Sequence, residues 1–118
     1  MTPIVRVNLN LPGVIYRTLD QGALGVAVPH INTPNEARKV VDATKFHPIG
    51  SRGIYHGRQS IGVDKYITES NNQTLVIILI EDIVAVENIS EILKVEHIDV
   101  FFVAPGDLAQ TMGYPGEM

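Results

Sequence analysis

Cysteine is absent from this 118-residue chain. Without thiols there is no disulfide, no sulfur metal site and no cysteine nucleophile, so any metal must be held by oxygen or imidazole. The same absence fits a reducing, cytoplasmic setting. Long apolar runs are missing too: 45% of the residues are hydrophobic, yet no segment reaches the roughly 18 apolar residues that suggest a membrane span. Basic charge is sparse and scattered, nine Lys and Arg against thirteen Asp and Glu for a formal net charge of −4. That leaves no electrostatic footprint for nucleic acid and no polybasic arm for anionic lipid. The N-terminal residues lack the order of a signal peptide and enter a strand-like run almost at once, as though the chain starts inside a fold.

What is present is a set of short aliphatic runs. Ile4 to Val7, Leu24 to Val28, Leu75 to Ile80 and Val100 to Val103 lack polar alternation, which predicts four strands buried on both faces of a parallel sheet. Helical signals lie between them. Pro12 to Leu19 begins with a first-turn proline and stops near Gly22. Thr33-Pro34-Asn35-Glu36 is a capping-box pattern, followed by the apolar stripe Ala37, Val40, Val41 and Ala43. Asp82 to Val95 carries Val84, Val86, Ile89, Ile92 and Leu93, which predicts one helix. Phe46 to Asp64, rich in glycine and turn residues, reads as a long loop before a helix from about Val63 to Ser70. Strands alternating with helices imply right-handed βαβ crossovers and an α/β class.

A carboxylate follows each of the last two apolar runs: Glu81 after Ile80, and Asp107 in Val103-Ala104-Pro105-Gly106-Asp107-Leu108. Parallel strands end at a rim where side chains from neighbours converge, so these acids, 26 residues apart, can face one cavity. Two carboxylates suit a hard divalent cation that keeps open positions for a chelating substrate. Each also has a plainer reading. Glu81 and Asp82 can be first-turn acids favoured by a helix dipole, Asp107 a turn or N-cap residue, and Arg6 a solvated strand-end charge or an ion-pair partner for Glu81. Histidine as a residue type titrates near neutral pH, which makes His30, His47 and His56 candidate bases, but the sequence offers His30, at a strand end after Pro29, no partner. Arg52 and Arg58 read as loop charges, free to meet an anionic substrate or a neighbouring subunit.

Six segments occur together in a familiar order: Thr2 to Val7, Leu24 to Pro29, Glu36-Ala37 with Val40-Val41, Pro48 to Gly53, Ile80-Glu81 with Ala85 to Asn88, and Ala104 to Ala109 with Met112-Gly113. In these the chain resembles the HpcH/HpaI aldolase family, class II pyruvate aldolases such as 4-hydroxy-2-oxoheptanedioate and 2-keto-3-deoxyglucarate aldolase. The resemblance implies a (β/α)8, or TIM, barrel. A full barrel takes about 200 to 250 residues or more, so the chain is expected to be a single segment of about four βα units, lacking N- and C-terminal barrel units. It further implies a carbon–carbon lyase of the aldehyde-lyase type, working on a small-molecule 2-keto acid within a homo-oligomer. The implied cofactor is Mg²⁺, Mn²⁺ or Co²⁺, with Glu81 and Asp107 as its ligands. Arg6 stands where the family keeps a catalytic, substrate-binding arginine beside the pyruvate keto oxygen, and Gly106 and Asp107 where backbone amides meet the substrate carboxylate. Leu79 departs from a glutamine frequent near the metal glutamate, and Ala109 from a frequent serine. Two other readings stay open, a CoA-ester lyase of the citrate lyase β or malyl-CoA lyase type and a non-catalytic half-barrel assembly module.

Overall fold

The computed structural model describes residues 1–117. Four strands form one sheet, β1 (Ile4–Arg6), β2 (Gly25–Val28), β3 (Leu75–Ile80) and β4 (Val100–Val103), side by side in chain order. All pairings are parallel, with Gly25 opposite Ile4 and Leu75, and Ile80 opposite Val103. Helices fill the crossovers: α1 (Pro12–Asp20) after β1, α2 (Pro34–Thr44) and α3 (Tyr66–Gln73) after β2, α4 (Ile83–Glu87) and α5 (Ile89–Ile92) after β3, and α6 (Pro105–Thr111) after β4. These are consecutive βα units of the kind that close into a (β/α)8 barrel. Among the described residues no helix is long and apolar enough to cross a membrane.

The core lies between the helices and one face of the sheet. Val26 and Val28 of β2, with Val76, Ile78 and Ile80 of β3, pack against Ile15, Leu19, Ala37, Val40, Val41, Ala85 and Ile92. Alternate strand positions point the other way, where Ala27 and Ile77 are only half-buried. Burial on that second face is therefore only partial, Leu79 being buried there while Ile77 is not. β1 is exposed along its length and β4 nearly so, because each has a neighbouring strand on one side only.

Local signals account for most helix boundaries. Pro12 and Pro34 open α1 and α2, each in a first turn where the missing N–H removes nothing. The Glu36 amide donates to Thr33 Oγ1 at 3.1 Å, while the Glu36 carboxylate accepts from the Asn32 amide at 2.7 Å, one residue upstream of the usual capping-box target. The predicted third helix begins at Tyr66 rather than Val63, since Lys65 takes a left-handed backbone. The helix expected from Asp82 to Val95 is two short ones broken at Asn88, whose side chain donates to the Asn32 carbonyl at 2.8 Å. Its stripe is only partly a core face: Ala85 and Ile92 are buried, but Val84, Val86 and Leu93 are exposed.

The long segment 46–64 is a loop containing one 3₁₀ turn, Arg58–Ser60. It is pinned at its start. Phe46 and Asn71 exchange two hydrogen bonds, and Gly50 sits where an added Cβ would overlap the Lys45 and Asp42 carbonyls. Arg52, expected as a loop charge, is instead buried. Its Nη2 donates to Asp20 Oδ1 at 2.9 Å and its guanidinium lies 4.5 Å from the Phe46 ring centre, so it fastens the loop to the end of α1. Arg58, His47 and His56 stay exposed in this loop.

Candidate active site at the strand ends

Arg6 ends β1, His30 follows β2 by two residues, Glu81 follows β3 by one, and Asp107 lies in the first turn of α6 after β4. Parallel strands bring all four to one rim of the sheet.

Glu81 is its centre and is fully buried. One oxygen, Oε1, accepts from the His30 amide at 2.9 Å and lies 3.8 Å from Arg6 Nη2 and 3.5 Å from His30 Nδ1. The other, Oε2, is equally buried and has no partner among the described residues. A surface acid attracted by a helix dipole would not be placed so, because burying an unpaired carboxylate oxygen carries a large desolvation cost. Asp82 is the N-cap residue of α4, yet its side chain makes no capping bond. Its Oδ2 lies 3.0 Å from His30 Nδ1.

Sequence reasoning gave His30 no partner, and the structure gives it two. They stand 51 and 52 residues away, so no local pattern announces them. The nearest signal is Pro29 at a strand end. The backbone of His30 is left-handed, φ 54°, a strained conformation that persists where surroundings enforce it. The Asp82 hydrogen bond raises the imidazole pKa above its usual 6.5, partly offset by burial and reinforced by the charges of Glu81, Asp82 and Asp107.

Arg6 is half-exposed beside Glu81, its Nη2 within ion-pair distance of Oε1. Asp107 is exposed, close enough for its charge to act on His30. Gly106, also exposed, is the second residue of α6, whose N-terminus carries no side-chain cap. Among the described residues no three His, Asp or Glu side chains form a ready-made metal cluster. The donors still suit a hard cation: an orphaned buried carboxylate oxygen and a second, exposed carboxylate on the neighbouring unit match Mg²⁺ or Mn²⁺, which keep waters or substrate oxygens in the remaining positions. Leu79, buried on β3, offers no side-chain hydrogen bond.

An all-parallel βα sheet with an acidic, arginine-flanked rim belongs to the barrel class that builds its sites at the C-terminal ends of the strands. The chain is a member of the HpcH/HpaI aldolase/citrate lyase family, whose sequence pattern matches residues 1–118. It is 37% identical over 119 residues to a 2-keto-3-deoxy-L-rhamnonate aldolase of Klebsiella pneumoniae, covering 98% of this chain and 45% of that relative. Among solved structures, an HpcH/HpaI aldolase from Desulfitobacterium hafniense superimposes with TM-score 0.89 at 29% identity, over 99% of this chain and 47% of the other. The citrate synthase SbnG gives TM-score 0.88 at 31% identity, over 99% and 45%. The chain thus spans about half the length of the relatives it matches.

Proposed function

We propose that these βα units carry the metal-binding half of a class II aldolase site, which cleaves a 4-hydroxy-2-keto acid to pyruvate and an aldehyde. The observation that carries this reading is Glu81 itself, buried between Arg6 and His30 with one oxygen unpartnered. Membership of an aldolase family supports it, as does the relative named for a 2-keto-3-deoxy sugar acid.

Glu81 and Asp107 would hold a divalent ion, Mg²⁺, Mn²⁺ or Co²⁺, which when bound supplies Lewis-acid polarisation of the keto oxygen. The rest falls to the chain's own residues. In the cleavage the C4 hydroxyl loses its proton, the C3–C4 bond breaks, and its electron pair passes to pyruvate as the enolate. Negative charge grows on the keto oxygen only as that bond breaks. Arg6, whose guanidinium already lies beside Glu81, presents a fixed positive charge there, and such preorganised donors are worth more to the transition state than to the substrate. The amides near Gly106 and Asp107 would face the substrate carboxylate. Protonation at C3 then releases pyruvate.

Further barrel units and self-association belong to the same proposal, since Ile4, Val5, Phe102 and Val103 leave apolar surface uncovered on the edge strands. So does a cytoplasmic setting.

The test is Mn²⁺ binding to the purified chain, read by water-proton relaxation, beside Glu81→Ala and Asp107→Ala. Both substitutions are expected to abolish binding. Pyruvate release should then depend on the metal, and cleavage that survives chelation by EDTA would overturn the reading.

A further inference from the structure

Along a β-strand successive amides point to opposite sides, so two neighbouring residues do not both donate toward the same adjacent strand. Just past β2 this alternation is broken. The Ile31 amide donates to the Leu79 carbonyl at 3.4 Å and the His30 amide to Glu81 Oε1 at 2.9 Å, so consecutive N–H groups both reach β3 and the carboxylate at its end. The cause is the backbone of His30, whose φ of 54° lies in the left-handed region. Turns of this kind bring successive N–H groups to one side, where they meet an anion. Pro29 before it has no N–H to give, so His30 supplies the first amide beyond the strand.

That amide makes the one hydrogen bond to the Glu81 carboxylate among the described residues. Arg6 Nη2 and the His30 ring stand farther from the same oxygen, at 3.8 and 3.5 Å, on side chains that are more than half exposed. Exposed side chains can swing away, whereas a backbone amide inside a packed turn cannot. Glu81 is fully buried, so the orientation of its two oxygens is decided by fixed protein donors instead of by water. The one fixed donor takes Oε1. Oε2 is left without a partner.

We propose that His30 is a positioning residue for Glu81: its left-handed turn commits Oε1 to the His30 amide and so reserves Oε2 for the cation. The inference rests on the metal-binding reading above and adds to it the segment that aims the ligand. His30 acts here through its backbone, and its ring is dispensable to the task. Glycine and asparagine are at ease in the left-handed region, while a β-branched residue is not.

The first readout needs no metal. Amide hydrogen exchange of the whole chain, followed by NMR, is expected to show His30 protected in the wild type and exchanging about tenfold faster or more in Glu81→Ala, the worth of a hydrogen bond to a charged group, with Ile31 unchanged. Equal rates for His30 in the two chains would overturn the proposal. The second readout is Mn²⁺ affinity by water-proton relaxation. His30→Gly and His30→Asn keep the turn and drop the ring, and both are expected to bind within about threefold of the wild type. His30→Val opposes the turn and should bind about tenfold more weakly or worse, the usual loss when a group behind a metal ligand is removed. Should His30→Val not fold, the exchange rates and the His30→Gly affinity decide the matter. A loss in His30→Gly as large as in His30→Val would give the role to the ring, and full affinity in a folded His30→Val would remove the turn from the site; either result defeats the proposal and leaves the metal-binding reading standing. A wild-type chain whose His30 amide depends on Glu81 but which binds no Mn²⁺ would defeat that reading, and the proposal with it.

Discussion

β2 and β3 occupy the middle of the sheet and β1 and β4 its edges, yet the four are written in much the same residues: GVAV and LVIILI inside, IVR and VFFV outside. Their fates differ. Val26, Val28, Val76 and Ile78 are completely buried, whereas Val5, Phe102 and Val103 are 39%, 54% and 56% exposed. An aliphatic run without alternation states that a strand is suited to two-sided cover, and the cover comes from neighbours. Here the inner pair has helices on one face and strands at both edges, while each outer strand has one free edge. The outer strands carry the composition of an interior without its surroundings.

That contrast has measurable consequences. The largest concerns the frame under the inner strands. Asp20→Ala would leave the Arg52 guanidinium, 2% exposed, buried without its partner. A loss of about 3–5 kcal/mol is expected, read from the urea midpoint. Next, Ile78→Ala in the inner pair should cost about 2–5 kcal/mol as a cavity, while Phe102→Ala at the edge should stay within about 0.5 kcal/mol. If Phe102→Ala instead costs as much as Ile78→Ala, something covers the edge in solution, and the cost should then depend on protein concentration. The smallest effect is one of pH. Lys45 donates to the Asn71 and Thr74 carbonyls at 2.8 and 2.7 Å, at the entry to β3. Burial lowers its pKa from 10.5, opposed by the attraction of Asp99. The unfolded chain therefore holds that proton more tightly than the fold does, so stability should rise as pH climbs through the folded value toward 10.5. Urea midpoints taken as the pH climbs toward 10.5 should show the wild type gaining on Lys45→Met; a parallel pair of curves would refute it.

Much of the architecture was legible because it is local. The strands follow from aliphatic runs, and α1 and α2 from first-turn prolines and the Thr33 cap, all visible within a few residues. The misread features depend on distant partners. The break at Asn88 interrupts a continuous apolar stripe because its side chain bonds Asn32, 56 positions away. Arg52 looked like loop charge since Asp20, its partner, lies 32 positions upstream. The site divides the same way. Glu81 is a carboxylate at a strand end and announces itself, whereas His30 becomes notable only once Glu81 and Asp82 stand beside it.

The inner strand pair also sets an order of events. Ile4 meets Gly25 and Ile77 meets Val100 across little more than twenty residues, but Gly25 meets Leu75 across fifty. Doubling a loop costs only about 0.6 kcal/mol of closure entropy, so the finished sheet is hardly weaker for it, but distant pairings slow a chain's search for its fold. β1 with β2, and β3 with β4, can each associate early as separate halves. His30 belongs to the first half and Glu81 to the second, so neither half contains the site. It comes into existence only when the longest crossover closes, and a chain caught before that step would have most of its secondary structure and no place to bind.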